Sequence, residues 1–81
     1  MRDIEIRHLQ LVSELQATGS ATAAAARLGV TQSAVSHQLR ELETRLKTPV
    51  CSRVGKRLIL TAAGHRLLRV AQDVLPEIDR A

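Results

Sequence analysis

Residues 31–46 read TQSAVSHQLRELETRL. Val35, Leu39, Leu42 and Leu46 follow the i, i+4, i+7, i+11 spacing of one buried helical stripe. At about 100° per residue, Ser33, Ser36, His37 and Arg40 fall on the opposite side, and no acid lies among them. Thr31 is an N-cap candidate, so a helix is expected over 32–46. Its charged pairs, Glu41 with Arg45 and Glu43 with Lys47, support only the later turns.

Working upstream, Ser20 caps a helix over 21–28 whose ATAAAARL composition has high propensity and small side chains. Gly29 closes it. Two helices separated by so short a glycine-containing turn form a helix-turn-helix. Ile6, Leu9, Leu11, Val12 and Leu15 outline an earlier helix over 5–17, ended by Gly19. Downstream, Pro49 stops the third helix. Segments 50–53 and 57–60 read as two short strands around Val54-Gly55-Lys56, a hairpin with a basic tip. Thr61 then caps a last helix beginning at 62, with Pro76 expected to bend it. Its apolar positions Leu67, Leu68, Ala71, Val74, Leu75 and Ile78 form a stripe wide enough to suggest a dimerisation surface. The fold class is mainly α: a winged helix-turn-helix of three helices and a short β-hairpin wing over 1–60, then a long linker and dimerisation helix over 61–81.

Composition bounds the function. The chain has 81 residues, a net charge of +4 and no aromatic residue. Binding of single strands by aromatic stacking is therefore excluded. No Asp or Glu occurs between Glu14 and Glu41, or between Glu43 and Asp73, and the second window holds Lys47, Arg53, Lys56, Arg57, Arg66 and Arg69. Such a surface suits a polyanion. The single Cys51 precludes an intrachain disulfide and fits a reducing compartment. The start MRDIEIRH has no apolar leader core, and no run approaches a membrane span, so a cytoplasmic protein is expected.

A face that is narrow, polar and free of carboxylates fits the major groove of duplex DNA. Gln32 can pair with adenine through both ends of its amide, Ser33 and Ser36 can contact any base, and Arg40 can reach guanine or phosphate. Thr31, which opens the helix, and His37 complete that set. The hairpin would lie along the backbone or probe the minor groove. Ser36, His37 and Glu41 do not form a catalytic triad, since neighbours on a helix diverge by about 100° and no oxyanion donor is implied. His8, His37, His65 and Cys51 lack metal-ligand spacing. Neither enzyme, metal nor cofactor is expected. Arg66 and Arg69 are either solvated or flank the dimer surface, and Arg27 is either solvated or touches phosphate. The alternative class is a helical protein-interaction module, but that would want apolar anchors on the open face.

The order Gly19-Ser20, Ala24-Ala25, Leu28, Thr31-Gln32, Ala34-Val35-Ser36, Leu42-Glu43, Leu46 and Leu60-Thr61-Ala62-Ala63-Gly64 resembles the DNA-binding module of LysR-type transcriptional regulators over nearly the whole chain. Within that family, IEIRHL, TGS, TQSA, SHQ and VLPEI resemble the methionine-pathway activators. The resemblance implies a bacterial regulator, a homodimer bridged by the last helix, and an interrupted palindromic operator. It implies DNA reading by Gln32, Ser33, Ser36 and His37, with Arg53, Lys56 and Arg57 on the wing. The family's effector-binding domain would follow residue 81, and a small-molecule effector would act only through it. Two departures stand out. Val50-Cys51-Ser52-Arg53 replaces a strand motif that usually carries an aromatic residue, and Ala62 replaces a frequent proline.

Overall fold

The computed structural model describes the backbone of residues 4–80 and the side chains of 4–76. Its elements are α1 (Ile6–Thr18), α2 (Ala21–Leu28), α3 (Gln32–Leu46), β1 (Cys51–Val54), β2 (Arg57–Leu60) and α4 (Ala62–Arg80). Local chemistry fixes most of these limits. Ser20 Oγ accepts the Ala23 N–H, Thr31 Oγ1 accepts that of Ala34, and Thr61 Oγ1 accepts that of Gly64. Gly19 and Gly29 end α1 and α2 in the left-handed region, at φ of 67° and 72°. Lys47 ends α3 at φ 58°, without the freedom a glycine would have there.

The helix α1 is the spine, in contact with every other helix and with β2. Its apolar residues divide. Leu11 and Leu15 pack with Ala24, Ala25 and Val35, so the small side chains of α2 seat it against α1 and α3. Leu9 and Val12 meet Leu42, Val50, Leu60, Leu67 and Ala71 on the other side. Burying each of these leucines contributes about 1.5–3 kcal/mol. Ile6, read as part of the stripe, is instead 42% exposed, because a spacing of three drifts off the buried face within two turns.

The hairpin differs by one residue from the expectation. Val54 pairs with Arg57, leaving Gly55-Lys56 as a two-residue turn, with the positive φ at Gly55 expected of a type II′ turn. Val50 is wholly buried and precedes the strand. Cys51 pairs with Leu60 and packs against the core. Burial, reinforced by the charge of Glu43, pushes its thiol above the usual range. Gly64 lets α4 approach closely, since a Cβ there would collide with the Val50 carbonyl oxygen. The helix α4 continues through Pro76. Among the described residues, no helix is long and apolar enough to cross a membrane.

Candidate nucleic-acid interface

The front of α3 emerges as its spacing demands. Gln32, Ser33, His37 and Arg40 are exposed and Ser36 is half-buried, while Val35 and Leu42 are buried behind them. No acid lies in the first turn of α3. The Thr31 oxygen is engaged as the cap, which leaves its hydroxyl hydrogen available. Gln32 is not free-standing: the Thr22 hydroxyl on α2 donates to its Oε1 at 3.0 Å.

The wing is tied to the helix-turn-helix. Leu58 N–H donates to the Gly19 carbonyl at 2.9 Å, and Leu58 itself packs on the cluster behind α2 and α3. Arg53, Lys56 and Arg57 are exposed. Lys56 occupies the second position of the turn, whereas Arg57 folds back over the α1–α2 connection. A Cβ on Gly19 would stand 2.6 Å from Arg57 Nη2. The structure thus separates Arg57 from the hairpin tip, a placement that spacing alone does not reveal.

Behind this surface the charges are compensated. Arg7 bonds Glu41 at 2.6 Å and Glu5 at 3.1 Å, and Arg45 bonds Glu5 at 2.9 Å and reaches Glu41 at 3.7 Å. His8, fully buried, joins Glu41 through Nε2 at 2.8 Å and accepts the Glu5 N–H on Nδ1 at 3.0 Å. An accepting Nδ1 leaves the ring proton on Nε2, where it is donated to Glu41. The His8 bond, together with the arginine charges, holds the Glu41 carboxyl below its ordinary range, and bonds from Arg45 and then Arg7 do the same for Glu5. Arg27 bonds Glu14 at 2.6 Å across α1 and α2. Glu43 turns to the Val50 N–H at 2.9 Å, which joins the end of α3 to the wing, and Lys47 leaves the helix in its left-handed cap. These uses supersede the expected Glu43–Lys47 pairing.

Glu5, His8 and Glu41 bring three potential ligand atoms within 4.8 Å of one another. The arrangement suits a metal poorly. A ligating Nε2 must lose its proton to Nδ1, which already accepts a backbone N–H, and two arginines already neutralise the carboxylates. Spacing along the sequence does not reveal this cluster as a unit, because His8 and Glu41 lie 33 residues apart.

The apolar stripe of α4 is partly consumed within the chain. Leu67 and Ala71 are 2% and 1% exposed in the monomer's own core, which leaves them little surface to offer a partner. Their side of the helix faces α1 and the hairpin. Leu68, Val74 and Leu75 remain partly open, and Ile78 lies outside the described side chains. An open groove of about 420 Å³ runs between α1 and α4, lined by Gln10, Ser13, Leu28, Ala71, Leu75 and Pro76 among others.

This geometry has close relatives. The chain is 47% identical over 78 residues to the HTH-type transcriptional regulator MetR of Salmonella typhimurium, covering 96% of this chain and 25% of that protein. It is 41% identical over 75 residues to MetR of Haemophilus influenzae, covering 93% and 24%. The chain therefore spans about a quarter of the length of these relatives. Among solved structures, the CbnR_DBD–DNA complex superposes with a TM-score of 0.83 at 34% identity, covering 95% of this chain and 88% of that one. The BenM_DBD complex with benA site 1 DNA gives 0.85 at 28%, covering 95% and 86%. Residues 6–65, which hold α1, the helix-turn-helix and the whole wing, match the family described as "Bacterial regulatory helix-turn-helix protein, lysR family". By its fold, its sequence and its cap-to-cap pattern, the chain belongs to the LysR family of bacterial regulatory helix-turn-helix proteins.

Proposed function

We infer that this chain binds duplex DNA sequence-specifically, as the DNA-binding part of a bacterial transcription regulator. The carrying observation is an asymmetry of charge. Arg7, Arg27 and Arg45 sit on carboxylates, whereas Arg40, Arg53, Lys56 and Arg57, around the open face of α3 and the wing, have none within salt-bridge distance among the described residues. Cations left uncompensated around a polar helix face suit a ligand that supplies the negative charge. Gln32, Ser33, Ser36 and His37 would meet base edges in the major groove, with Thr31 and Arg40 beside them. Arg53 and Lys56 would reach the backbone or minor groove from the hairpin, and Arg57 the backbone near the α1–α2 turn.

The relatives named for DNA complexes support this reading, as does the lack of apolar anchors on the front of α3 that a protein groove would require. Leu68, Val74 and Leu75 support a two-fold dimer through α4, which would place two copies of α3 on an interrupted palindrome. Residues 1–60 would then read DNA and 61–81 pair the chains, in the cytoplasm. In a full-length protein the remaining three quarters would carry any effector site.

Selection from a pool of random duplexes tests the proposal. The enriched fragments should contain inverted half-sites. With Arg53, Lys56 and Arg57 each neutralising a phosphate, affinity per chain should fall roughly 40-fold between 50 and 200 mM salt. A pool that shows no enrichment, or affinity indifferent to salt, would overturn it.

A further inference from the structure

We propose that Thr22 is a specificity-determining residue, which fixes the direction in which Gln32 reads a base pair. The inference rests on the proposed reading by α3 and deepens it. Thr22 stands in the first turn of α2 and Gln32 opens α3, ten residues later, and both are exposed. Their side chains meet across the turn, with the Thr22 hydroxyl donating to Gln32 Oε1 at 3.0 Å. A threonine in an established helix often turns its hydroxyl back to a carbonyl four residues earlier. In the first turn, that internal acceptor is absent, and the hydroxyl is used between the two helices instead.

The consequence follows from the amide. Its oxygen accepts and its nitrogen donates, and a free glutamine rotates between the two presentations. Adenine is matched when Nε2 donates to N7 and Oε1 accepts from N6. A flipped amide sets donor against donor at N6 and acceptor against acceptor at N7. The oxygen has two lone pairs, so the bond from Thr22 leaves one for the base. With Oε1 held toward α2, the order of acceptor and donor across the base pair is set before DNA arrives. In water this exposed bond competes with solvent. Docking removes that competitor, so the restraint strengthens when discrimination is made. Thr22 is thus a positioning residue, acting through Gln32.

The test uses the 81-residue chain, the best duplex from the random-pool selection, and the set of its single-base-pair variants. Gln32→Ala first locates the base pair that Gln32 reads. Thr22→Val, nearly the same shape but without the hydroxyl, should reduce discrimination at that pair by about three- to tenfold, as expected for freeing one rotamer-rich side chain. The other base pairs should keep their preference, and the salt slope should not change. Thr22→Ser should restore discrimination. In the Gln32→Ala background, Thr22→Val should add nothing at that pair. Urea melts of each variant separate a loss of fold from a loss of reading.

If Gln32→Ala erases a preference that Thr22→Val leaves whole, the positioning role fails while the reading by α3 survives. A Thr22→Val change that weakens every duplex equally also overturns it, as would independent, additive losses in the double variant. If Gln32→Ala alters no base preference at all, the reading falls and takes this inference with it.

Discussion

The third and fourth helices are both amphipathic, and they leave opposite kinds of surface open. The back of α3 is buried through Val35 and Leu42, and its open front carries hydroxyl, amide, imidazole and guanidinium groups. The inner side of α4 closes the core through Leu67 and Ala71, and its flanks leave Leu68, Val74 and Leu75 half covered. Each helix satisfies the monomer with only part of its circumference. What remains on α3 calls for a polar, anionic partner, and what remains on α4 calls for an apolar one. The supports differ too. A network from Glu5, Arg7 and His8 holds the later turns of α3, whereas Gly64 holds the start of α4 by close backbone approach.

The largest expected effect breaks the seat of α4. Gly64→Ala places a methyl against the Val50 carbonyl, a backbone atom that cannot step aside without moving the hairpin. Stability should fall by about 3 kcal/mol, the upper part of the usual overpacking range, measured by urea denaturation. A loss within error would mean that α4 tolerates a shifted seat.

Leu75→Glu probes the open flank of α4. Losing one partly buried leucine per chain at an interface should weaken association roughly tenfold or more, given about 1.5–3 kcal/mol for a fully buried leucine. Mass in solution should drop to that of a monomer, and operator affinity should fall with it. An unchanged mass with a lowered melting temperature would instead assign Leu75 wholly to the monomer.

A smaller change sharpens the contrast at the end of α3. Lys47→Gly relieves a left-handed φ of 58° that a side chain adopts at a cost. The gain should be about 1 kcal/mol, after allowing for the extra freedom glycine has when unfolded. Destabilisation would show that the lysine side chain has a stabilising role there.

The smallest effect concerns acid. Glu5 and Glu41 are held below the ordinary carboxylate value of 4.5 in the folded chain. The unfolded chain therefore takes up protons first as pH falls. The pairs stabilise fully above that ordinary value, and their contribution disappears as pH falls through the lowered folded values. Because both carboxylates are at the surface, the slope should be shallow. Glu41→Gln should flatten the acid limb of stability against pH, and parallel limbs for the two proteins would remove Glu41 from this role.

The contrast also shows which features the sequence carries openly. The helices α2 and α3 were legible to the residue because Ser20, Gly29 and Thr31 act within a turn of themselves. The start of β1 lies one residue later than apolar patterning suggests, because Val50 is as apolar as a strand residue but serves the core before the ladder begins. The exposed members of the α3 face followed from helical spacing alone. Their supports did not. The Arg7–Glu41 bond spans 34 residues, and Thr22 and Gln32 become neighbours only when the turn between them is folded. Leu67 and Leu68 look equivalent as residues, and only packing sends the first inward and leaves the second partly open.

The central claim is that the front of α3 reads base edges in the major groove. Its most direct test removes one acceptor from that groove and leaves the pairing edge untouched. In the selected duplex, the adenine read by Gln32 is replaced with 7-deazaadenine, which lacks N7. The wild-type chain should bind this duplex roughly tenfold more weakly, within the range of about 1–3 kcal/mol for a bidentate contact. The Gln32→Ala chain should bind both duplexes alike. An equal loss in the two proteins, or a site at which no purine N7 matters, would contradict the account.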